Sequence, residues 1–567
     1  MPSQLDQRMN ATMAALTAPA GMLPVGSKPS RWGVDLPVIT AAPPSLAHYM
    51  AHYAHEHGAA TFLVAGEERL TYAEVHALAQ RVARGLIARG VRKGDRVGIA
   101  MRNSPSWIAT YMGVLIAGGV ATLLNGWWQS EEMSVAVHDV ECSLIVADGP
   151  RCKRLRAVAG LPTLIELDDT LALEEALAPL LEDVGDLPEL GPDDWATILF
   201  TSGSTGQSKG AISTHGAVLQ GVFNYLAQAL MMMGLATQDG NPPQGQPSTL
   251  LNVPLFHVTA EVPVFLQSFA IGRKLVLMPR WDAEEAMRLI QQEGVSYFVG
   301  VPLMSFEILN HPRRAEYDLS TVTDFAAGGA PRPVEHVKRL KEEMGGPKGE
   351  GAPLIGYGLT ETNGVGTGNW RDNYLAKPNS AGLPSRPLVD LAILDDAGRA
   401  LAQGERGEIG IRTACNFTEY WGNPEATAAA FTADGYFLTG DIGYLDEDGY
   451  LFIVDRKKDI IIRGGENISC QEVEAALYEH PAVAEAAVFG LADERMGEVP
   501  GAVVHLAEGA SMDEAALQGF LGEHIAAFKV PARIWLSADA LPRLGTEKID
   551  KVGLRNAYRA KWALERA

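Results

Sequence analysis

The residues Thr201-Ser202-Gly203-Ser204-Thr205-Gly206-Gln207-Ser208-Lys209-Gly210 form a glycine- and hydroxyl-rich string entered from the apolar, strand-like run Ile198-Leu199-Phe200. Such a string at the end of a strand has the build of a phosphate cradle. Glycines let backbone N–H groups turn toward an anion, the hydroxyls add donors, and Lys209 supplies a movable positive charge. A nucleoside triphosphate is the expected guest. The Walker loop requires Gly directly before its lysine and Ser or Thr directly after it, whereas Ser208 and Gly210 stand here, so that reading is excluded. Taken alone, the string could also be a flexible surface loop with an incidental lysine.

A chain of 567 residues exceeds what one core normally holds, and 47% hydrophobic residues suffice to bury several. The net charge of −22 opposes non-specific attraction to nucleic acid or to an anionic membrane, although Arg456-Lys457-Lys458 makes a local basic run. Small-molecule partners are therefore expected, and no nucleic acid. Cys142, Cys152, Cys415 and Cys470 show neither paired metal-ligand spacing nor the density of a disulfide scaffold, which predicts free thiols and a reducing compartment. The start of the chain lacks the pattern of a secretory signal, so the cytoplasm is the default expectation. Residues 107–128 carry no charged side chain, but Gly118-Gly119 divides them. A helix from the N-cap Ser104 and Pro105 to about Ala117 would be only ~20 Å long against a ~30 Å hydrocarbon core, so a buried helix and a buried strand over 120–124 are expected instead of an integral membrane segment.

From residue 45 to about 188, helical stretches such as 72–89 alternate with short apolar runs such as Val97-Gly98-Ile99-Ala100 and Leu144-Ile145-Val146. That alternation predicts helices packed on a largely parallel sheet. Residues 237–248 and 345–353 are polar and rich in Gly and Pro, and read as exposed loops. After about Asn363 the texture becomes β-rich, with a hairpin predicted around Asp446-Glu447-Asp448-Gly449. Beyond Asp455 the chain starts afresh as a smaller α+β unit. Ser469 with Glu472 predicts a capping box for a helix through Tyr478, and Ser511 with Glu514 another for a helix through about Ala527, with strands over 486–491 and 502–506 between them.

Five further segments follow the first loop in order: Asn252-Val253-Pro254-Leu255-Phe256-His257, Gly328-Gly329-Ala330-Pro331, Tyr357-Gly358-Leu359-Thr360-Glu361-Thr362, Tyr436-Phe437-Leu438-Thr439-Gly440-Asp441, and Asp455-Arg456 with Gly464-Gly465-Glu466-Asn467. Pro542-Arg543-Leu544-Gly545-Thr546-Glu547-Lys548-Ile549-Asp550-Lys551 closes the set. Over nearly its whole length the chain resembles the adenylate-forming superfamily, and within it the acyl-CoA synthetases, which also resemble coumarate ligases and firefly luciferase. The resemblance implies an α/β multidomain fold: a large N-terminal domain, residues 1–455, of two α/β subdomains and a distorted β-barrel, and a small mobile α+β domain, residues 456–567.

It also implies a reaction. A carboxylic acid and ATP form an acyl-adenylate with release of pyrophosphate, and the acyl group passes to coenzyme A, with Mg2+ as the metal. The first step brings an anion onto a polyanion, so its catalysis must chiefly neutralise charge and fix geometry. By position, Lys548 matches the lysine that bridges the carboxylate and the α-phosphate. Glu361 matches the magnesium-associated glutamate and Thr360 a phosphate-side hydroxyl. Thr201, Ser202, Gly203, Ser204, Thr205, Gly206 and Lys209 match the phosphate loop; Gly329, Ala330, Pro331, Tyr357 and Gly358 the adenine pocket; Asp441 and Arg456 the ribose. His257 falls at the gate of the acyl pocket, where a lone histidine can equally be a packed core residue. The hinge lies at 455–458, with Lys458 at or beside its pivot, and Gly464 and Gly465 would let the pantetheine arm of CoA approach closely.

Three positions depart from the pattern: Ser208 for a proline in the loop, Glu547 for a glycine beside Lys548, and Cys470 for a proline at a helix start. The acyl pocket is expected to be lined by residues 218–233, His257, 327–328 and 362–364, suiting a fatty or aromatic acid, while Met231-Met232-Met233 reads as adaptable core. Three alternatives stay open: delivery to a carrier protein's phosphopantetheine, a catalytically weak nucleotide-binding regulator, and an oxygenase. A homodimer is compatible with the sequence.

Overall fold

The alternation over residues 45–188 supplies four strands of a seven-stranded sheet ordered Glu419–Tyr420, Gly210–Thr214, Trp195–Phe200, Val120–Leu123, Arg96–Ala100, Leu144–Asp148, Thr163–Leu167. Its last five strands run parallel, as helical crossovers demand, and the first two are antiparallel additions. The structure, a computed structural model, describes residues 3–201, 208–329, 332, 334–344, 351–544 and 548–566. By packing, these fall into two units, residues 1–391 with 411–437 and residues 392–410 with 438–567.

The first unit also holds a nine-stranded sheet ordered Leu383–Pro384, Gly366–Trp370, Ala352–Gly358, Asp324–Gly328, Tyr297–Gly300, Ser248–Leu251, Lys274–Leu277, Thr61–Ala65, Glu68–Thr71. Strands from Ala352–Gly358 to Thr61–Ala65 are parallel. The strand Ala352–Gly358 takes in Ala352 and Pro353, which the sequence had suggested as exposed loop; both are buried. Residues 345–350 lie outside the described residues.

Local signals explain the helices of this unit. Thr71 accepts from the Glu74 amide while the Glu74 carboxylate takes the Thr71 N–H, a full capping box for Tyr72–Ala88. Ser104 caps Pro105–Ile116, whose residues from Ser106 onward are all buried, and Gly118 turns the chain with φ of 78° into the buried strand Val120–Leu123. Residues 107–124 of the uncharged stretch are thus core, while Trp127 is exposed. One described helix, His215–Gln238, is long and apolar enough to cross a membrane, and 61% of its apolar window is buried inside the protein.

The second unit carries most of a four-stranded sheet, Asp390–Leu394, Gly407–Arg412, Phe437–Leu445 and Leu451–Arg456, in which Leu445 faces Leu451 across the predicted hairpin. A second sheet is built on the long hairpin Val483–Asp493 and Gly497–Leu506, covered by Cys470–Tyr478, Glu514–His524 and Lys551–Arg566. Ser469 accepts from the Glu472 amide as expected, but the Glu472 carboxylate takes Lys529 instead of closing a box. The other expected cap is corrected. Asp513, not Ser511, caps the helix, which ends at His524, because the Glu514 carboxylate is committed to the Ile534 amide and Arg533 on the neighbouring strand. All four cysteines are free and buried.

A helix interior ordinarily favours Ala over Gly by about 1 kcal/mol. At Gly85 in Tyr72–Ala88, a Cβ would lie 1.6 Å from the Leu180 carbonyl oxygen, a backbone atom that cannot step aside cheaply. Overlap outweighs propensity, and Gly85→Ala is expected to lower the thermal midpoint by several degrees, the effect of about 1–3 kcal/mol of overpacking; an unchanged or raised midpoint in calorimetry would contradict the packing described here.

Candidate active site

The string that opened the sequence reading lies between two antiparallel strands, Trp195–Phe200 and Gly210–Thr214, so a strand and not a helix follows it. This agrees with the exclusion of the Walker loop. The Thr201 amide donates to the Lys209 carbonyl at 3.0 Å, closing the base of the loop. Ser202, Gly203, Ser204, Thr205 and Gly206 lie outside the described residues, as do Ala330, Pro331 and Glu547.

Lys209 is met by a residue the sequence did not offer. The two-residue strand Glu419–Tyr420 pairs with Gly210–Thr214, with Tyr420 opposite Ala211, and the Trp421 amide donates to the Gly210 carbonyl at 2.8 Å. This puts the Lys209 Nζ 4.8 Å from the centroid of the Tyr420 ring, within cation–π range. The ring is wedged by Phe417 at 4.7 Å between centroids, in an apolar cluster with Ala211, Ala430 and Phe437. Its hydroxyl donates to the Glu361 Oε1 at 2.7 Å. Burial, and then the nearby Glu361 charge, push the Tyr420 phenol well above its ordinary range, so it remains a proton donor to that carboxylate.

Glu361 is held by the turn that carries it. After the strand Ala352–Gly358 the chain makes the single turn Thr360–Thr362, pinned by Leu359 N–H to Thr362 Oγ1 at 3.1 Å and by Phe417 N–H to the Glu361 carbonyl at 2.7 Å. Asn363 sits in the left-handed region and its side-chain amide donates to Cys415 O and Ser213 Oγ. Gly358 is obligatory here, since a Cβ would stand 1.9 Å from the Gly364 carbonyl oxygen. The structure therefore brings Lys209, Tyr420, Glu361 and Thr360 together, with Tyr357 and Gly358 on the strand leading into the turn. Gly329 follows the neighbouring parallel strand Asp324–Gly328 with φ of 77°.

His257 ends the loop after Ser248–Leu251 and caps the short helix Val258–Ala260. Its Nδ1 accepts the Thr259 N–H at 3.2 Å, which in the neutral ring leaves the proton on Nε2 as a donor. Asn103, also missed in the sequence, pins this loop by donating to Val253 O at 2.8 Å and accepting from the Leu255 N–H at 2.9 Å. The helix runs on through a π turn whose Glu261 is fully buried, takes the Tyr111 hydroxyl at 2.7 Å, and is raised by burial to about 7.

In the second unit Asp441 and Arg456 are cross-strand partners, with Nε to Oδ1 at 3.5 Å. The carboxylate is buried and the guanidinium half exposed, an acceptor beside a donor. Burial draws the Lys548 ammonium down to about 8, with the Arg456 charge acting in the same direction and Asp441 opposing both. Gly464 and Gly465, at φ of 59° and 94°, form the two-residue turn of the hairpin Ile461–Arg463 and Glu466–Ile468. Backbone geometry alone accounts for both glycines. Asp455 is buried and takes the amides of Arg456, Cys470 and Gln471, tying the end of a strand to the start of the next helix.

Residues 50–421 match the family model described as AMP-binding enzyme, and residues 472–548 that of the AMP-binding enzyme C-terminal domain. The chain is 34% identical to the long-chain-fatty-acid–CoA ligase FadD13 of Mycobacterium tuberculosis, across 87% of this chain and 94% of that protein. It is 35% identical to a feruloyl-CoA synthase of an Amycolatopsis species, across 88% of this chain and 96% of that one. Among solved structures, ATP-bound MatB from Rhodopseudomonas palustris superposes with a TM-score of 0.80 at 29% identity, covering 90% of this chain and 99% of that one.

Lys548 loses its proton as pH rises through about 8. If its positive charge serves adenylation, kcat/KM for ATP in that half-reaction, which reports on the free enzyme, declines above about pH 8, and the decline is absent from the residual activity of Lys548→Ala. A wild-type profile flat to pH 10 would contradict the assignment.

Proposed function

Because the chain belongs to the AMP-binding enzyme family and is an AMP-forming acid–thiol ligase using ATP and coenzyme A, we propose that it activates a fatty or aromatic carboxylic acid at the Lys209–Tyr420–Glu361 constellation. The observation that carries this reading is the shared use of one tyrosine. Its ring is placed against the ammonium at the end of the phosphate loop, and its hydroxyl orients the carboxylate at the end of a parallel strand.

In the first step the acid's carboxylate oxygen attacks the α-phosphorus of ATP, the bond to the β-phosphate oxygen breaks, and pyrophosphate leaves. The phosphate loop and Lys209 hold the β- and γ-phosphates, Thr360 donates to a phosphate oxygen, and Lys548 neutralises charge building on the α-phosphate. The Nε2–H of His257 steadies the incoming carboxylate. Asp441 accepts from the ribose hydroxyls and Arg456 donates to them, while Tyr357 stacks on the adenine beside Gly329, Ala330 and Pro331. In the second step the CoA sulfur attacks the acyl carbon and AMP departs. Gly464 and Gly465 allow the pantetheine arm to pass, and residues 456–567 act as the mobile lid that changes position between steps.

Mg2+ fits this donor set. No group of three or more His, Cys, Asp or Glu side chains that could hold a metal occurs among the described residues, so a cation would rest on one carboxylate, Glu361, together with phosphate oxygens and water, as Mg2+ bound to a nucleotide commonly does. When bound it would supply charge neutralisation at the phosphates.

Acid-dependent exchange of labelled pyrophosphate into ATP, run over straight-chain, branched and aromatic acids, tests the proposal. Exchange with at least one class, falling by about 100-fold or more in Lys548→Ala, while that variant still converts supplied acyl-adenylate and CoA to acyl-CoA, is the expected result. Absence of exchange with every acid would overturn it.

A further inference from the structure

The helix His215–Gln238 packs at Gly221 against Asn363 and Val262, and Tyr225 donates to the Gly364 carbonyl. Its near end thus lies against the turn that bears Glu361. Residues 221, 224, 228 and 231 share one face at helical spacing. Asn224 is fully buried with neither Oδ1 nor Nδ2 hydrogen-bonded among the described residues. One turn further, Gln228 is 6% exposed and its Nε2 likewise has no partner. Leaving a buried amide without hydrogen bonds is costly, so two in succession on one face point to a ligand that satisfies them.

The face ends at a cavity of about 60 Å³ whose lining includes Gln228, Met231, Met9 and Met13 along with the charged Asp6 and Arg386. Gly368 and Trp370, also in the lining, belong to the strand Gly366–Trp370 that leaves the same turn, and the Trp370 indole comes within 2.9 Å of where a Cβ on Gly368 would be. Met9 and Met13 come from the helix Gln4–Thr17, which precedes the span matched by the family model. That helix is fastened in place. Asn373 donates to Asp6 Oδ1 at 2.8 Å, the Ser3 hydroxyl donates to Asn373 Oδ1 at 2.7 Å, and Arg8 pairs with Asp239 at 2.6 Å.

We propose that the acyl group lies along this face, that the amides of Asn224 and Gln228 hydrogen-bond hydroxyl or keto oxygens on its tail, and that the helix Gln4–Thr17 closes the far end. The inference rests on the ligase reading and narrows its substrate to an oxygenated carboxylic acid of bounded length. Either amide can present N–H or C=O after rotation, so both oxygen types are served.

The test measures kcat/KM for AMP release with matched acids, each with and without a keto or hydroxyl oxygen along its tail, over a series of increasing length. The wild type is expected to favour the oxygenated member at some length by about ten-fold or more, and Asn224→Leu with Gln228→Met to lose that preference. The ratio is taken within each variant, so partial unfolding scales both rates and leaves it unchanged. Met13→Ala is expected to extend the longest acid accepted. A wild type that prefers unsubstituted acids, or a ratio that survives the double substitution, overturns the proposed amide contacts; an unmoved length limit in Met13→Ala overturns the closure. No AMP release from the wild type with any acid overturns the ligase reading itself and the inference with it.

Discussion

Tyr420 links Lys209 to Glu361, the two charged residues of the proposed phosphate site. Its hydroxyl is spent on the Glu361 carboxylate and its ring on the Lys209 ammonium, at 2.7 and 4.8 Å, so an acid and a base that would otherwise seek each other are held apart by one rigid side chain. Salt-bridged directly, Lys209 and Glu361 would neutralise one another and offer a polyanion little. In the proposed reading, the first then serves as the partner of phosphate and the second as the ligand of a metal. The aromatic cluster behind Tyr420, with Phe417 foremost, fixes the ring at the edge of one sheet, while the Phe417 amide holds the turn that ends a strand of the other.

Much of the frame was legible because its signals are local. The alternation of helices and apolar runs gave the parallel sheet, Thr71 and Ser104 marked true helix starts, and the Ser208-Lys209-Gly210 neighbourhood excluded a strand-to-helix phosphate loop, in agreement with the antiparallel pair that carries it. What escaped was long-range. Nothing around Tyr420 or Asn103 marks them, because their roles come from partners more than fifty positions away. The false cap at Ser511 shows the same limit at short range: Asp513 offered a better acceptor two residues on, and Glu514 was claimed by a strand distant in sequence.

Glycines and methionines carry a parallel lesson about motif residues. Gly464 and Gly465 stand in a tight hairpin turn that would need glycine with no ligand in view, so their presence in a motif does not by itself argue for pantetheine. Gly358 is different in kind: the Gly364 carbonyl occupies its side-chain space, which sets the geometry of the Glu361 turn. Three consecutive methionines cannot share a helical face, and only Met231 is buried, while Met233 is 40% exposed. In the second unit, a lysine drawn down to about 8 beside Arg456 is a charge held under tension, one that a polyanion would restore.

The most direct test of the central interaction is a double-mutant cycle on pyrophosphate exchange with Tyr420→Phe, Glu361→Gln and the pair together. If the phenol acts by orienting the carboxylate, removing it costs little once the carboxylate is gone, and the combined loss falls short of the product of the single losses by about ten-fold or more. Losses that multiply, as for independent sites, would contradict the account.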